Sequence, residues 1–282
     1  MKVVIVIVTY NNEVAIKDCI TSLEKQGQSQ IVVIDNASND RTVDVLREEF
    51  KQVQVFSLKR NCGYGGGNNF GIEKALKLDC HFVLILNPDT VLEPNTISML
   101  LKATEKHEGN RIFGPKILMR DGKRIWSIGG KLDKKRYTAG LIGYKNLDNE
   151  DHKEKEVDFV SGTCMLIPRK LLKKGLQFYE KYFLYYEDVE FCVKAKQFGF
   201  PSFVVPTAKI MHIEDSQNFT LKDYYLARNH LLFVERNAPF RIKLREMVRL
   251  PKTIFDHLKT RNSYSLKGIN DYLRRRFGKY ET

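Results

Sequence analysis

The sequence has few cysteines, no long apolar run and no low-complexity tract. Its five cysteines are scattered over 282 residues without a Cys-x-x-Cys pair. This excludes a disulfide framework and a cysteine zinc site, and it fits a reducing compartment. The N-terminal apolar run, Val3 to Val8, is too short for a signal peptide or a membrane span, and no other stretch approaches about 18 apolar residues. We therefore expect a cytoplasmic protein.

Acidic residues are in the minority, and the basic excess is concentrated at the C-terminus. The net charge is +13, and residues 241–282 alone contain twelve Lys and Arg against four acids. Such a segment predicts an anionic partner. A basic amphipathic helix binds anionic membrane surfaces, although a solvated helix or a homo-oligomer contact would have the same pattern. The apolar face that we predict for this helix consists of Leu266, Ile269, Tyr272, Leu273 and Phe277.

The first half of the chain alternates between strand and helix patterns. The apolar runs predict strands at Val3–Val8, Gln30–Asp35, Val53–Leu58 and Phe82–Leu86. The helical spacing of apolar residues predicts helices at Val14–Lys25, Thr42–Phe50, Asn69–Leu78 and Asn95–Lys106. Repeated strand–helix units predict an α/β fold with a mostly parallel, doubly wound sheet and helices on both faces.

The second half is less regular. We predict strands at Arg111–Met119, Val157–Pro168 and Ser202–Val205, and helices at Glu187–Phe198 and Leu221–Glu235. The charged segment Asn146–Glu156 reads as a solvated, mobile loop. Pro239 is expected to end the compact domain. The predicted organisation is therefore a domain over residues 1–238, with halves 1–110 and 111–238, followed by a basic helical extension over 239–282.

Polar residues follow three of the predicted strands. They are Thr9-Tyr10-Asn11, Asp35-Asn36-Ala37-Ser38 and Asn87-Pro88-Asp89. The carboxyl ends of neighbouring parallel strands share one edge of a sheet, so we expect these groups to converge there. Asp35 could accept hydrogen bonds from a base or a ribose. For any single strand, the polar residues could simply begin a loop.

A glycine-rich stretch, Asn61 to Asn69, follows the third predicted strand. Glycines before a helix allow the backbone to approach a phosphate or a base closely. The stretch almost reads G-x-G-x-x-G, but Asn68 occupies the place of the last glycine, and the dinucleotide fingerprint belongs after the first strand. A tight turn without a ligand is the alternative.

Two further features carry candidate chemistry. Glu187 and Asp188 begin a predicted helix beside several aromatic residues, which suits a general base acting on a sugar hydroxyl. Helix capping would explain the same two acids. His212 lies in an extended stretch, and together with Asp89 it would form an oxygen–nitrogen site for a divalent ion. A lone structural histidine is the alternative.

Together these motifs resemble those of glycosyltransferase family 2, the inverting enzymes of GT-A fold, and within it the bacterial rhamnosyltransferase-like members. The resemblance covers Lys2 to Asn237. It rests on seven motifs in order: Val8-Thr9-Tyr10-Asn11, Val33 to Ser38, Asn61 to Asn69, Leu86 to Asp89, Glu187 to Glu190, His212 and Arg228-Asn229.

The resemblance implies a role for each motif. Residues 1–110 become the nucleotide-sugar-binding half and 111–238 the acceptor-binding half. Asp188 is implied as the general base with Glu187 beside it, and Asp89 and His212 as ligands of Mg²⁺ or Mn²⁺. The family's D-x-D element has Asn87 in place of its first acid, so the donor's phosphates would complete the metal site. The implied donor-binding residues are Thr9, Tyr10, Asn11, Asp35, Asn36, Ser38, Asn61, Gly65, Gly66, Asn68, Asn87 and Arg228.

The implied reaction is transfer of a sugar, rhamnose among the candidates, from a dTDP- or UDP-linked donor to a glycan or lipid-linked acceptor in cell-surface polysaccharide synthesis. This would take place in the cytoplasm or at the inner face of the cell membrane. A sugar-phosphate nucleotidyltransferase is the nearer alternative. A nucleic-acid-binding module using the basic tail is another, but it leaves the acids Asp35, Asp89 and Asp188 unexplained, and we expect no nucleic-acid partner.

Overall fold

The computed structural model describes residues 1–149, 152–213 and 219–280. The strands are β1 (Val3–Thr9), β2 (Gln30–Asp35), β3 (Gln54–Ser57), β4 (Phe82–Leu86), β5 (Thr90–Leu92), β6 (Ile112–Met119), β7 (Ile125–Ser127), β8 (Gly130–Leu132), β9 (Ala139–Leu141), β10 (Lys155–Val157), β11 (Cys164–Pro168) and β12 (Ser202–His212). The α-helices are α1 (Ala15–Glu24), α2 (Thr42–Glu49), α3 (Gly63–Leu76), α4 (Thr96–Lys106), α5 (Arg169–Leu172), α6 (Glu187–Gln197), α7 (Phe219–Asn237), α8 (Phe240–Lys259) and α9 (Ser263–Leu273).

One large sheet organises the molecule, in the strand order β10-β12-β6-β11-β4-β1-β2-β3. The neighbours β1–β2, β1–β4, β2–β3 and β6–β12 run parallel. Strand β11 runs antiparallel between β4 and β6. The short strands β5 and β7 pair with β12 and β6, and β8 and β9 form a separate hairpin. The predicted mostly parallel sheet is confirmed.

The sheet is covered on both faces, and β1 shows why its sequence is apolar throughout. Alternate residues of β1 point into different cores, with Val4, Val6 and Val8 on one face and Val3, Ile5 and Ile7 on the other. Helices α3 and α6 pack on the first face, and α1, α2 and α4 on the second. A strand buried on both faces needs a continuous apolar run rather than an alternating pattern.

Helix α3 differs most from its prediction, because it begins at Gly63 rather than Asn69. The glycine-rich stretch is thus helical, despite the low helix propensity of glycine. The reason is the close approach of α3 to β1. A Cβ on Gly67 would lie 2.6 Å from Cγ1 of Val8, and one on Gly71 would lie 2.2 Å from Cγ1 of Val6. Only glycine allows the helix to pack this closely on the sheet.

Two predictions for the second half were wrong in part. The strand predicted at Val157–Pro168 is two strands, β10 and β11, and the one predicted at Ser202–Val205 continues to His212. The segment Asn146–Glu156 is not simply a solvated loop, because Asp148 forms a buried ion pair with Lys116. The distance between Asp148 Oδ1 and Lys116 Nζ is 2.7 Å. Two of its residues, Glu150 and Asp151, lie outside the described residues.

The C-terminal extension folds back onto the rest of the molecule. The predicted boundary at 238/239 falls between α7 and α8, and α9 packs along α7. In α9, Ile269 is buried and Tyr272 donates a hydrogen bond to Glu235 of α7 at 2.7 Å. Among the described helices, none has the length and hydropathy that a membrane span requires.

Candidate active site

The carboxyl ends of β1, β2 and β4 meet at one edge of the sheet. Thr9, the last residue of β1, pairs with Asp35, the last residue of β2. On the other side of β1, Ile7 pairs with Leu86, the last residue of β4. The polar residues that follow these strands therefore lie together, as predicted. Within the described chain, the buried Thr9 Oγ1 has no hydrogen-bond partner.

The loops after β1 and β2 are tied to each other by hydrogen bonds. The Asn11 N–H donates to Ser38 Oγ at 2.9 Å, and the Asn39 N–H donates to Asn11 Oδ1 at 2.8 Å. Asp35 Oδ1 accepts from the Ser38 N–H at 3.1 Å. Tyr10 is exposed beside these contacts. The result is a fixed rim that presents one aromatic ring and several polar groups.

The predicted donor contacts around α3 need correction. Gly65 and Gly66 are buried in α3, where a Cβ would lie 3.3 Å from Phe178 and 2.9 Å from Cys62. Asn36 is also buried, and its amide donates to the Gly63 carbonyl at 2.9 Å and accepts from the Cys62 N–H at 3.0 Å. These three residues build the start of α3 instead of facing a ligand.

Two further residues of the predicted donor site, Asn61 and Asn68, also hold the backbone of α3. Asn61 Oδ1 accepts from the Gly63 N–H at 2.9 Å, and Asn68 Nδ2 donates to the Tyr64 carbonyl at 3.0 Å. The buried Asn68 Oδ1 finds no partner in the residues that the structure describes. A contact between either side chain and a donor stays a prediction.

Asp89 and His212 are brought together across 123 positions of sequence by β5 and β12. These strands are antiparallel, with His212 opposite Thr90, and the Ile213 N–H donates to the Asp89 carbonyl at 2.8 Å. The side chains meet at 3.1 Å, between Asp89 Oδ2 and His212 Nε2. The ring of Trp126 lies 5.1 Å from that of His212.

The side-chain oxygens of Asp89 and Asn87 and the imidazole of His212 fit a divalent ion that a substrate would help to bind. Asp89 Oδ1 and Asn87 Oδ1 are buried, and neither has a hydrogen-bond partner among the described residues. No group of three or more His, Cys, Asp or Glu that could hold a metal occurs in the described part of the chain. The protein thus offers a carboxylate, an imidazole and an amide oxygen, and Mg²⁺ often binds through few protein ligands plus substrate phosphates.

The loop 161–163 joins the sheet edge that carries Asn87 and the predicted metal ligand Asp89 to Asp188. On one side, the Asn87 N–H donates to the Thr163 carbonyl at 2.9 Å. On the other, the Gly162 N–H donates to Asp188 Oδ2 at 2.8 Å, and the Tyr64 hydroxyl donates to the Gly162 carbonyl at 2.6 Å. The loop therefore links the backbone two residues before Asp89 to the carboxylate of Asp188.

Asp188 and Glu187 are adjacent acids with different environments. Asp188 is partly buried at the start of α6, and its Oδ1 accepts from the Val189 N–H at 2.8 Å. Burial raises the pKa of Asp188, although backbone hydrogen bonds from Gly162 and Val189 oppose the rise. Burial and the charge of Asp188 raise the pKa of Glu187 well above its usual value. The pKa is raised further for Glu187 than for Asp188, so Asp188 is the more readily ionised of the two acids.

Arg228 is not where a donor diphosphate could meet it. Its buried guanidinium donates to the carbonyls of Tyr182 at 2.7 Å, Gly278 at 2.8 Å and Lys181 at 3.3 Å. The prediction that Arg228 binds the donor is therefore wrong. Because its donors are used by carbonyl oxygens, Arg228 is a positioning residue.

Asn229 holds the same segment from the next position. Its amide donates to the carbonyls of Tyr182, Leu184 and Tyr185. This segment leads into Glu187, and its backbone has positive φ at Phe183, Tyr185 and Tyr186. Non-glycine residues adopt such angles at a cost, so the surrounding contacts must hold them. The Arg228-Asn229 motif thus fixes the backbone that positions Glu187 and Asp188.

Two residues of the site were missed by sequence reasoning. Tyr64 donates to the Gly162 carbonyl, whose own N–H donates to Asp188. Burial and the charges of the nearby Asp188 and Glu187 raise the pKa of Tyr64 well above the usual value. Gly162 allows this contact, since a Cβ there would lie 3.1 Å from Tyr64 and 3.2 Å from Asp188. Tyr64 belongs to a motif that we had singled out for its glycines, whereas nothing in the local sequence marks Gly162.

Comparison with known families identifies the chain. The model of the family described as glycosyl transferase family 2 matches residues 4–176, more than half of the chain. The chain belongs to glycosyl transferase family 2. The predicted family is thereby confirmed. It takes the place of the two alternatives raised from the sequence, a nucleotidyltransferase and a nucleic-acid-binding module.

Named relatives agree with this family. The chain is 31% identical to the low-salt glycan biosynthesis hexosyltransferase Agl10 of Haloferax volcanii over 68% of its own length and 61% of that protein. It is 24% identical to the dTDP-rhamnosyl transferase RfbF of Shigella flexneri, over 86% of the chain and 83% of RfbF. It is also 24% identical to the N-acetylglucosaminyl-diphospho-decaprenol L-rhamnosyltransferase of Mycobacterium tuberculosis, over 86% and 87%. The predicted similarity to rhamnosyltransferases is confirmed.

The fold is also that of solved glycosyltransferases. The crystal structure of GalNAc-T7 with UDP, GalNAc and Mn²⁺ superposes with a TM-score of 0.64 at 19% sequence identity. The match covers 82% of this chain and 51% of GalNAc-T7. The predicted GT-A fold is confirmed by this likeness.

Proposed function

We propose that the chain transfers a sugar from a nucleoside diphosphate donor to an acceptor hydroxyl group with inversion at the anomeric carbon, and that Asp188 is the general base. The observation that carries the proposal is the loop 161–163. It binds Asn87 of the sheet edge that carries the predicted metal ligand Asp89 on one side, and Asp188 on the other. A donor diphosphate at Asp89 would therefore place its sugar toward Asp188.

In the proposed reaction, Asp188 Oδ accepts the proton of the acceptor hydroxyl. The acceptor oxygen then forms a bond to the anomeric carbon, while the bond to the diphosphate breaks on the opposite face. General-base catalysis of this kind contributes roughly 10²–10⁴ in rate. The two N–H donors from Gly162 and Val189 aim the carboxylate, and its raised pKa makes it a stronger base.

The donor would lie along the edge formed by β1, β2 and β4. Asp35 and the rim formed by Asn11 and Ser38 would contact the nucleoside, with Tyr10 beside them, which the hydrogen bonds that fix this rim support. Asp89 and His212 would hold a divalent ion, with Asn87 next to it. When bound, such an ion offsets the negative charge of the departing diphosphate. GalNAc-T7, solved with UDP and Mn²⁺, supports a metal and a nucleotide at this kind of fold.

For the donor sugar we propose a dTDP- or UDP-linked hexose, with rhamnose as the first candidate, and for the acceptor a lipid-linked glycan. Two relatives support this choice. RfbF is named a dTDP-rhamnosyl transferase, and the Mycobacterium tuberculosis protein is named for an N-acetylglucosaminyl-diphospho-decaprenol acceptor. The proposed setting is polysaccharide synthesis at the cell envelope.

The experiment is a thermal-unfolding screen of nucleoside diphosphate sugars in the presence of Mn²⁺ or Mg²⁺. A ligand at 100 times its dissociation constant stabilises the native state by about 2.7 kcal/mol. We expect a metal-dependent rise in melting temperature for the wild type, lost in Asp89→Ala and His212→Ala and kept in the control His257→Ala. If no nucleotide sugar shifts the wild type, the donor site is not where we place it.

A further inference from the structure

Helix α8 leaves an apolar stripe uncovered on the surface. Its members recur at the spacing of one helical face, and each is between 50% and 76% exposed. Exposed apolar side chains that form one contiguous stripe mark an interaction surface, unlike scattered ones. The stripe consists of Phe240, Leu244, Met247, Val248, Phe255 and Leu258.

The opposite face of α8 is fixed to the body of the protein. Glu246 is buried, and it accepts from Arg136 at 3.2 Å and lies 3.5 Å from His230. A cavity of about 270 Å³ between α7, α8 and α9 is lined by Leu250 and His257 from this face. The orientation of α8 is therefore set, and the apolar stripe cannot turn inward.

Basic residues lie along the edge of the apolar stripe. Residues 240–261 contain seven Lys and Arg against two acids, one of which is the buried Glu246. Arg241, Arg245, Lys252 and Lys259 are exposed and follow helical spacing directly beside the stripe. An apolar face with a basic border is the arrangement by which helices lie in the interface of an anionic membrane.

From this geometry we infer that α8 binds the surface of an anionic lipid bilayer, with the apolar stripe in the headgroup region and the basic border on the lipid phosphates. A second copy of the chain is a poorer occupant. A two-fold contact brings the same surface to itself, so the basic borders would oppose each other. The surface is on α8. In the apolar face that we predicted from the sequence, Ile269 is buried and Leu273 is exposed, and α9 itself packs against α7.

The inferred membrane surface is connected to the proposed general base. From Glu246 of α8 the contacts continue to His230, and His230 Nδ1 lies 3.3 Å from the hydroxyl of Tyr186. Tyr186 immediately precedes Glu187 and Asp188. A bilayer at α8 would thus lie near the acceptor side, which suits a lipid-linked acceptor; this last step rests on the proposed function, whereas bilayer binding itself does not.

The test is co-sedimentation of the full chain with vesicles of phosphatidylcholine, with and without phosphatidylglycerol. We expect the wild type to pellet only with the anionic vesicles and to be released by salt. The double variant Val248→Glu/Phe255→Glu should partition at least ~10-fold less, because two charges enter the apolar stripe. The control Leu147→Glu changes an equally exposed apolar residue outside α8 and should pellet like the wild type.

Equal pelleting of the double variant and the wild type, or no pelleting of the wild type, would overturn the inference. A wild-type dimer that the double variant abolishes, without vesicle binding, would assign the stripe to a second copy instead. Transfer of the sugar from a dTDP- or UDP-linked hexose to the hydroxyl of a detergent-dispersed lipid-linked glycan, measured without vesicles as released dTDP or UDP, tests the proposed function separately. We expect the double variant to keep this activity, and a wild type without it would refute the function whatever the vesicles show.

Discussion

At the scale of residues, the site depends on two neighbouring acids that the fold treats differently. Asp188 has two backbone N–H donors, whereas the buried Glu187 Oε2 has no hydrogen-bond partner in the described residues. Pairs of carboxyl groups whose environments separate their pKa values are typical of acid–base sites. The two environments therefore favour the charged form of Asp188 over that of Glu187.

The raised pKa of Asp188 predicts a pH dependence. A general base must be unprotonated, so kcat/KM should fall as the pH decreases through the pKa of Asp188, above the usual range for aspartate. Glu187→Gln should leave this acid limb in place, because the proposed general base, Asp188, is retained. The pH–rate profiles of both proteins check this. A limb that disappears in Glu187→Gln would make Glu187 the base.

The raised pKa of Glu187 also predicts a change in stability. A carboxyl group with a raised pKa binds its proton more tightly in the folded state, so it destabilises the fold as the pH rises above the pKa of the unfolded chain. We expect Glu187→Gln to raise the melting temperature at neutral pH by roughly 2–4 °C, the effect of about 1 kcal/mol in a chain of this size. The gain should vanish toward acid pH. Thermal unfolding measures it, and Glu73→Gln, an exposed acid on α3, should bring no gain.

A substitution of Asp89 tests how the metal contributes to donor binding. Asp89→Asn keeps the shape of the side chain but removes the carboxylate charge that lies 3.1 Å from His212 Nε2. We expect the metal-dependent part of donor affinity to weaken by at least about tenfold, equivalent to 1.4 kcal/mol. Titration calorimetry with and without Mn²⁺ measures it. Donor affinity that is unchanged under both conditions would remove Asp89 from the metal site.

At the scale of elements, α3 gives the sharpest prediction. Alanine is usually preferred to glycine inside a helix by roughly 0.5–1 kcal/mol. Gly71→Ala should nevertheless destabilise the protein by ~1–3 kcal/mol, because its Cβ would lie 2.2 Å from Val6 Cγ1 in the core. Urea unfolding measures the change. Glu73→Ala, on the exposed face of α3, is the matched control, and a Gly71→Ala protein as stable as that control would contradict the packing.

The elements also show how far the sequence could be read. The four strands of the first half and the convergence of Thr9, Asp35 and Asp89 follow from local pattern and from the rule for parallel sheets. The start of α3 does not, because it depends on the contact with β1. The extension of β12 to His212 depends on pairing with β5, far away in sequence. Arg228 was assigned to the donor from its motif alone, and only its three carbonyl partners show its structural role.

At the scale of the whole molecule, the C-terminal extension is part of the fold. Gly268 of α9 contacts α7 so closely that a Cβ would lie 2.3 Å from the Tyr224 carbonyl oxygen. The Gly278 carbonyl accepts from Arg228, and the Gly278 N–H donates to the Lys181 carbonyl. Gly278 is therefore hydrogen-bonded to the segment that leads to Glu187. Removing the extension would therefore disturb more than a membrane contact.

A chain ending at Pro239 should accordingly melt at a temperature lower by ~5 °C or more, since it exposes the α7 surface that α9 covers. Arg275→Ala removes an exposed ion pair with Glu235 and a contact with the Tyr272 ring, and it should cost less than ~1 kcal/mol. Thermal unfolding of the two proteins separates packing from surface charge. A truncated chain that melts with the wild type would show that the extension is dispensable.

The most direct test of Asp188 as the general base compares two measurements on Asp188→Asn. Because the proposed role of Asp188 is at the acceptor hydroxyl and not at the donor, calorimetry should find donor affinity within about twofold of the wild type, while the transfer rate falls by roughly 10²–10⁴. A transfer rate close to that of the wild type would contradict the assignment.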